Sequence, residues 1–147
     1  MNGRSPVLFG IMPDGTKVEA VTLRAAALSC TVLTYGGVIQ SLRVPDRTGL
    51  PVDIVLGFDR LEDYLRQDKF MGAIIGRYAN RIKNSRFSLN GKEYLLRAND
   101  GLNHLHGGPS GFDKRVWKLE RLSENSVTLF LTSPDGEENY PGTLEVW

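Results

Sequence analysis

The sequence predicts an all-β protein, an antiparallel β-sandwich, from three observations. Short stretches rich in Val, Ile, Leu, Thr and Tyr alternate apolar and polar side chains, which is strand rather than helix periodicity. Turn residues interrupt these stretches at intervals of roughly 8–12 residues. Only one segment carries a helical repeat.

Residues Val18 to Val44 read as several strands, broken at Gly36-Gly37 and closed by Pro45-Asp46-Arg47-Thr48-Gly49. In that turn Pro presets its own dihedral and Gly supplies positive φ. Val52 to Phe58 reads as a further strand. Asp59 to Asp68 is the helical piece, because Leu61, Tyr64 and Leu65 fall at i, i+3 and i+4 behind an acidic start that suits the helix dipole. Phe87 to Leu96 is a hairpin around Asn90-Gly91, a pair able to take the two positive φ values of a type I′ turn. Leu102 to Phe112, with its glycines, a proline and two histidines, is expected to be a loop.

Val116 to Leu122, Val127 to Thr132 and Leu144 to Trp147 complete the strands, with Ser133-Pro134-Asp135-Gly136 and Tyr140-Pro141-Gly142 between the last two. The final strand stops at Trp147 with no polar tail, and a large aromatic there calls for partner surface. Residues 1–147 are therefore expected to form a single domain, truncated at its C-terminus.

Composition narrows the function classes. Eighteen Lys and Arg against seventeen Asp and Glu leave almost no net field, so neither a nucleic-acid partner nor an anionic membrane is expected. The single cysteine, Cys30, excludes an intrachain disulfide framework, and without a Cys/His cluster no metal site is expected. Cys30 sits in an alternating apolar stretch and is read as core rather than nucleophile. Val7 to Met12, within the first 15 residues, is too short and too interrupted for a signal-peptide core. No window approaches the roughly 20 apolar residues of a membrane span. A soluble protein of the cytoplasm is the expectation.

Three places could carry chemistry. Gly72 to Ile82 is a small, apolar run leading into Arg77, Asn80 and Arg81. In extended chain Arg77 and Arg81 share a face and Asn80 points opposite, so only a bend brings Asn80 beside Arg81. Composition alone favours a buried strand ending in solvated arginines. The functional reading is that Asn80 and Arg81 present directed donors and an acceptor to hydroxyl groups. The second place is Asn103-His104-Leu105-His106-Gly107-Gly108, with both histidines on a loop that glycines allow to fold tightly around a small ligand. Against that stands a capping role, imidazole to carbonyl. The third, Ser133 to Glu138, lacks the ligand count of a calcium loop and is read as a solvated turn.

Taken in order and spacing, Val55-Leu56-Gly57-Phe58, Gly76-Arg77-Tyr78-Ala79-Asn80-Arg81-Ile82, Leu105-His106-Gly107-Gly108 with Gly111-Phe112-Asp113-Lys114, Ser133 to Glu138, and Tyr140-Pro141-Gly142 resemble the aldose 1-epimerase (galactose mutarotase) family. The resemblance covers essentially the whole chain. It implies the N-terminal portion of a galactose mutarotase-like supersandwich, whose cleft binds hexoses such as galactose and glucose and needs no cofactor. The family's sugar-holding residues map onto Asn80, Arg81 and His106. In the family a Glu takes the proton of the anomeric hydroxyl while a His protonates the ring oxygen; the ring opens, C1 rotates, and reclosure gives the other anomer.

That Glu and His belong to a second half of the fold beyond Trp147, so no catalytic residue is assigned within this chain. The alternatives are a non-catalytic carbohydrate-binding module or inactive fragment, and an interaction protein whose open sheet edge recruits another strand. The sequence fixes no oligomeric state.

Overall fold

A computed structural model describes residues 5–147. Residues 1–4 of the stretch weighed against a signal peptide lie outside the described residues. The fold is all-β and antiparallel, as its sequence periodicity requires.

Five strands form one meander in the order β1-β2-β3-β4-β5: β1 Val7–Ile11, β2 Lys17–Ala25, β3 Leu28–Leu33, β4 Ile39–Pro45 and β5 Pro51–Asp53. Val32 and Leu33, adjacent in β3, join different buried clusters because successive side chains of a strand point to opposite faces. On one face Val18, Leu33, Tyr35 and Val38 meet Leu61 and Tyr64 of the helix α1, Leu61–Arg66. On the other, Val21 and Val32 meet Phe112, Trp117, Leu129 and Leu131. The last two side chains come from a second antiparallel sheet, β10-β11-β12, spanning Lys118–Leu122, Val127–Ser133 and Leu144–Val146. The hairpin β7 Arg86–Leu89 and β8 Lys92–Leu95 turns at Asn90 and Gly91, whose φ values of 52° and 77° are those of the expected I′ turn.

One element adds to expectation and three differ from it. The apolar run Val7–Ile11 is a strand, paired with β2 and shifted in register between Leu8 and Gly10. Gly10 is needed there, since a Cβ would stand 2.7 Å from Leu61 Cβ. The strand expected over Val52 to Phe58 ends at Asp53, whose carboxylate accepts from Leu42 N at 3.1 Å, Val55 N at 3.2 Å and Ser41 Oγ at 2.5 Å. A side chain thus takes over the ladder, and the backbone turns off to close around Tyr64, whose hydroxyl accepts from Phe58 N. Gly72 to Asn80 is irregular rather than a buried strand, and only Arg81–Ile82 (β6) pairs, with His104–Leu105 (β9) inside the expected loop. Finally, Ser133 to Glu138 is not simply solvated: Ser133 and Glu138 are buried.

Cys30 is half-buried in β3, and burial pushes its thiol up, as befits a packing residue. Among the described residues no helix is long and apolar enough to cross a membrane.

Candidate functional site

The site is assembled where β6 and β9 run out of ladder. Arg81 pairs with Leu105 and Ile82 with His104. One residue further on, His106 N donates to Asn80 O at 3.0 Å, while Asn80 N donates to His106 Nδ1 at 3.0 Å. Asn80 (φ 62°) and His106 (φ 52°) both lie in the left-handed region, and these are the bends that an extended chain lacked. The structure therefore brings Asn80, Arg81 and His106 together: Arg81 Nη1 reaches Asn80 Oδ1 at 3.5 Å, and Arg81 Nε is anchored on Asp100 Oδ2 at 2.7 Å. Asn80 and Arg81 are exposed and His106 is half-buried.

The contact with Asn80 N fixes more than position. A backbone N–H only donates, so His106 Nδ1 is the acceptor and the proton of the neutral ring sits on Nε2. Nε2 has no hydrogen-bond partner among the described residues. The ring packs against Phe70 with centroids 4.7 Å apart, and Lys114 Nζ stands 5.4 Å from the Phe70 centroid on the way out. His106 thus offers one aimed donor beside the guanidinium of Arg81 and the carboxamide of Asn80. Such a set suits a neutral, hydroxyl-rich ligand.

The two histidines of the loop divide the roles that the sequence left open. His104 is completely buried, with Nδ1 on Arg97 O and Nε2 on Tyr140 Oη, both at 2.7 Å. The carbonyl can only accept, so Nδ1 carries the proton and Nε2 accepts from the tyrosine. Burial pushes the Tyr140 hydroxyl up to about 12, which keeps it a donor at any ordinary pH. His104 is the carbonyl-capping histidine.

Arg77 faces away from the site. Its guanidinium donates to Ser133 Oγ, Ser133 O, Pro134 O, Pro141 O and Gly142 O at 2.7–3.2 Å, so it is a strut that shapes the turn after β11. The Gly-Gly pair after His106 has a steric origin. A Cβ on Gly107 (φ 90°) would run into Gly76 O, and one on Gly108 (φ 94°) would stand 2.6 Å from Glu138 Oε2.

A cleft of about 280 Å³ adjoins the site and is lined by Gln67, Asp68, Phe70, Asn99, Asp100 and Lys114 among others. It meets the candidate residues through Asp100, the partner of Arg81, and Phe70, the neighbour of His106; Asn80, Arg81 and His106 themselves are not among its walls. Asp113 also lines it, 7% exposed, with Oδ1 unpaired and Oδ2 3.5 Å from Lys114 Nζ. Burial raises the Asp113 carboxyl, and Lys114 only partly opposes the shift. Sequence patterns give no hint of Phe70 or Asp100, and they carry Asp113 and Glu138 only inside the motifs Gly111 to Lys114 and Ser133 to Glu138, with no sign that either carboxylate is buried. No group of three or more His, Cys, Asp or Glu able to hold a metal ion occurs among the described residues.

With this geometry in place, likeness to known proteins takes on meaning. The family description "Aldose 1-epimerase" matches residues 19–147. The chain is 48% identical over 141 residues to galactose mutarotase of Bos taurus, covering 95% of this chain and 41% of that protein. It is 41% identical over 135 residues to aldose 1-epimerase of Escherichia coli K12, covering 91% and 39%. Among solved structures, a GalM/aldose epimerase homologue from C. elegans superposes with a TM-score of 0.83 at 32% identity, over 87% of this chain and 40% of the other. Galactose 1-epimerase from Lactobacillus acidophilus does so with 0.80 at 30%, over 96% and 42%. The chain spans about two fifths of the length of the relatives it matches.

Proposed function

The chain belongs to the aldose 1-epimerase family, and from that premise we propose that its surface at Asn80, Arg81 and His106 grips a hexose, such as galactose or glucose, for interconversion of the α and β anomers. The observation that carries this reading is the two-point pairing of Asn80 with His106, which brings these side chains together with that of Arg81, Asn80 and Arg81 being exposed. Each hydroxyl of a sugar surrenders hydration on binding, so affinity depends on donors and acceptors already held in place.

In the reaction the anomeric hydroxyl gives up its proton and the ring oxygen gains one. The C1–O5 bond breaks, the aldehyde rotates, and the ring closes on its other face. Each positioned proton transfer contributes about 10²–10⁴-fold. Within this chain Arg81 and His106 Nε2–H steady charge on sugar oxygens as it develops. The Glu and His that move the protons are assigned to the part of the family's fold that this chain does not cover.

One observation favours a second reading, a carbohydrate-binding unit without turnover. His104 is sealed and His106 has its Nδ1 occupied, so the histidine that a sugar can reach arrives as a fixed donor. Polarimetry of freshly dissolved α-galactose, with titration calorimetry on the same sample, reads turnover and binding apart. Binding without faster mutarotation is the expected result for this chain. Acceleration lost in Arg81→Ala would instead place a proton-transfer pair within these residues, and absence of binding would refute the assignment of the site.

A further inference from the structure

The turn between β11 and β12 reaches beneath both segments of the site. On one side Arg77, three residues before Asn80, ties its guanidinium to that turn. On the other side the turn inserts Glu138, whose side chain is only 3% exposed. Its Oε1 accepts from Ser110 N at 2.9 Å and from Arg97 Nη1 at 3.2 Å. Ser110 stands four residues after His106, with Gly107, Gly108 and Pro109 between them. Glycines give the loop its path and Pro109 fixes one φ, but where the loop sits is set by bonds to other segments, Phe112 N on Gly76 O at its end and Ser110 N on Glu138 Oε1 at its middle.

Glu138 is poorly suited to its own surroundings. It holds a φ of 51°, which favours glycine, and its Oε2 is buried without a partner. Both penalties fall on a residue whose hydrogen bonds go to the loop bearing His106 and to Arg97, whose carbonyl in turn fixes His104. Neighbouring Asn139 adds a bond from Nδ2 to Leu95 O.

We propose that Glu138 is a positioning residue for His106, holding the 107–111 loop through Ser110 N so that His106 Nδ1 stays on Asn80 N and Nε2–H stays aimed at the ligand. The sugar-gripping consequence rests on the reading of His106 given above; the hold on the imidazole does not. Without that anchor the loop relaxes, the contact between Nδ1 and Asn80 N opens, and the imidazole samples both tautomers.

The test uses the whole chain, in which ¹⁵N imidazole spectra contain two ring systems because there are two histidines; His106→Ala assigns them. Wild type is expected to show a single Nε2–H tautomer for His106. Glu138→Ala is expected to average that signal and weaken galactose binding about tenfold, the worth of one directed hydrogen bond. Glu138→Gln, which keeps an acceptor for Ser110 N, is expected to retain both. A lower melting temperature in Glu138→Ala with an unchanged His106 spectrum overturns the proposal, as does a Gln variant that shifts as far as the Ala variant. Should Glu138→Ala not fold, Glu138→Asp, whose carboxylate is drawn back by one methylene, takes its place with the same readings. If wild type binds no galactose while the imidazole still responds to Glu138→Ala, the sugar assignment fails and the positioning role stands.

Discussion

In the five-stranded sheet the buried side chains are Val18, Val21, Val32 and Leu33, and their neighbours are other apolar groups. Around Asn80 and His106 the buried side chains include His104, Asp113, Ser133 and Glu138, and their neighbours are donors and acceptors. The first region is held by area removed from water, which tolerates reshaping; the second is held by directed bonds, which do not. Backbone follows the same division. The sheet strands are extended, whereas Asn80, Asn84, Ser85, His106, Glu138 and Asn139 carry positive φ without being glycine.

The comparison can be broken by substitutions that should cost the two regions differently. Gly107→Ala is expected to have the largest effect, about 3 kcal/mol or more, because a Cβ meets Gly76 O on a backbone already at φ 90°; urea unfolding measures it. Leu33→Ala should follow with a loss of about 2–5 kcal/mol, yet leave galactose affinity unchanged at temperatures below melting. Weaker binding in that variant would show that the sheet and the site are not separable. Arg77→Lys keeps the charge but not the fork that serves five acceptors, and should cost about 2 kcal/mol and loosen hexose binding. A fully stable Arg77→Lys chain would mean that the turn is held by other contacts.

Arg81→Ala should be the gentlest for stability, below about 1 kcal/mol, since its pair with Asp100 is half exposed. It should nevertheless be the most damaging for the ligand, and calorimetry reads the two effects apart.

Acid sharpens the same contrast. Asp46 and Asp53, at the rim of the sheet, are held below their ordinary value of 3.8, first by the hydroxyls of Thr48 and Ser41. Their contribution to stability is present above that value and is lost as pH falls through the lowered one. Asp113 has the opposite sign. Burial raises it, so the native state holds its proton more tightly than the unfolded chain; the stability from that proton is present below 3.8 and lost as pH rises through the raised value. Asp113→Asn should therefore flatten the fall in stability above pH 3.8, while Asp53→Asn should flatten the fall below it. Identical pH profiles for the two variants would contradict the division.

Legibility in the sequence followed the same boundary. The alternation of Leu129, Leu131 and Ser133 in β11, the Asn90-Gly91 turn and the Leu61/Tyr64 pair are local patterns that took the expected form, although the helix, Leu61–Arg66, is shorter than the expected Asp59 to Asp68. Asn80 and Arg81 stand out by donor chemistry and both histidines by their glycine-rich setting, while the choice of His106 over His104 rests on the family resemblance; the bend that joins Asn80 to His106 depends on a partner 26 residues away. Asp53 ending its strand, β1 joining the sheet edge and Glu138 turning inward are likewise settled by long-range contacts that leave no periodic trace. Hydrogen bonds between distant residues have no repeat, so pattern reading passes over them.

The left-handed backbone at positions 80 and 106 also has a consequence for anyone breeding sturdier versions of this protein. Glycine relaxes such a dihedral, and a screen that scores survival of heat alone would reward it at Asn80, whereas at His106 it would forfeit the bond from Asn80 N and the packing on Phe70. Selection of that kind would drift toward Asn80→Gly, yielding a chain that outlasts its ancestor and grips with one finger fewer.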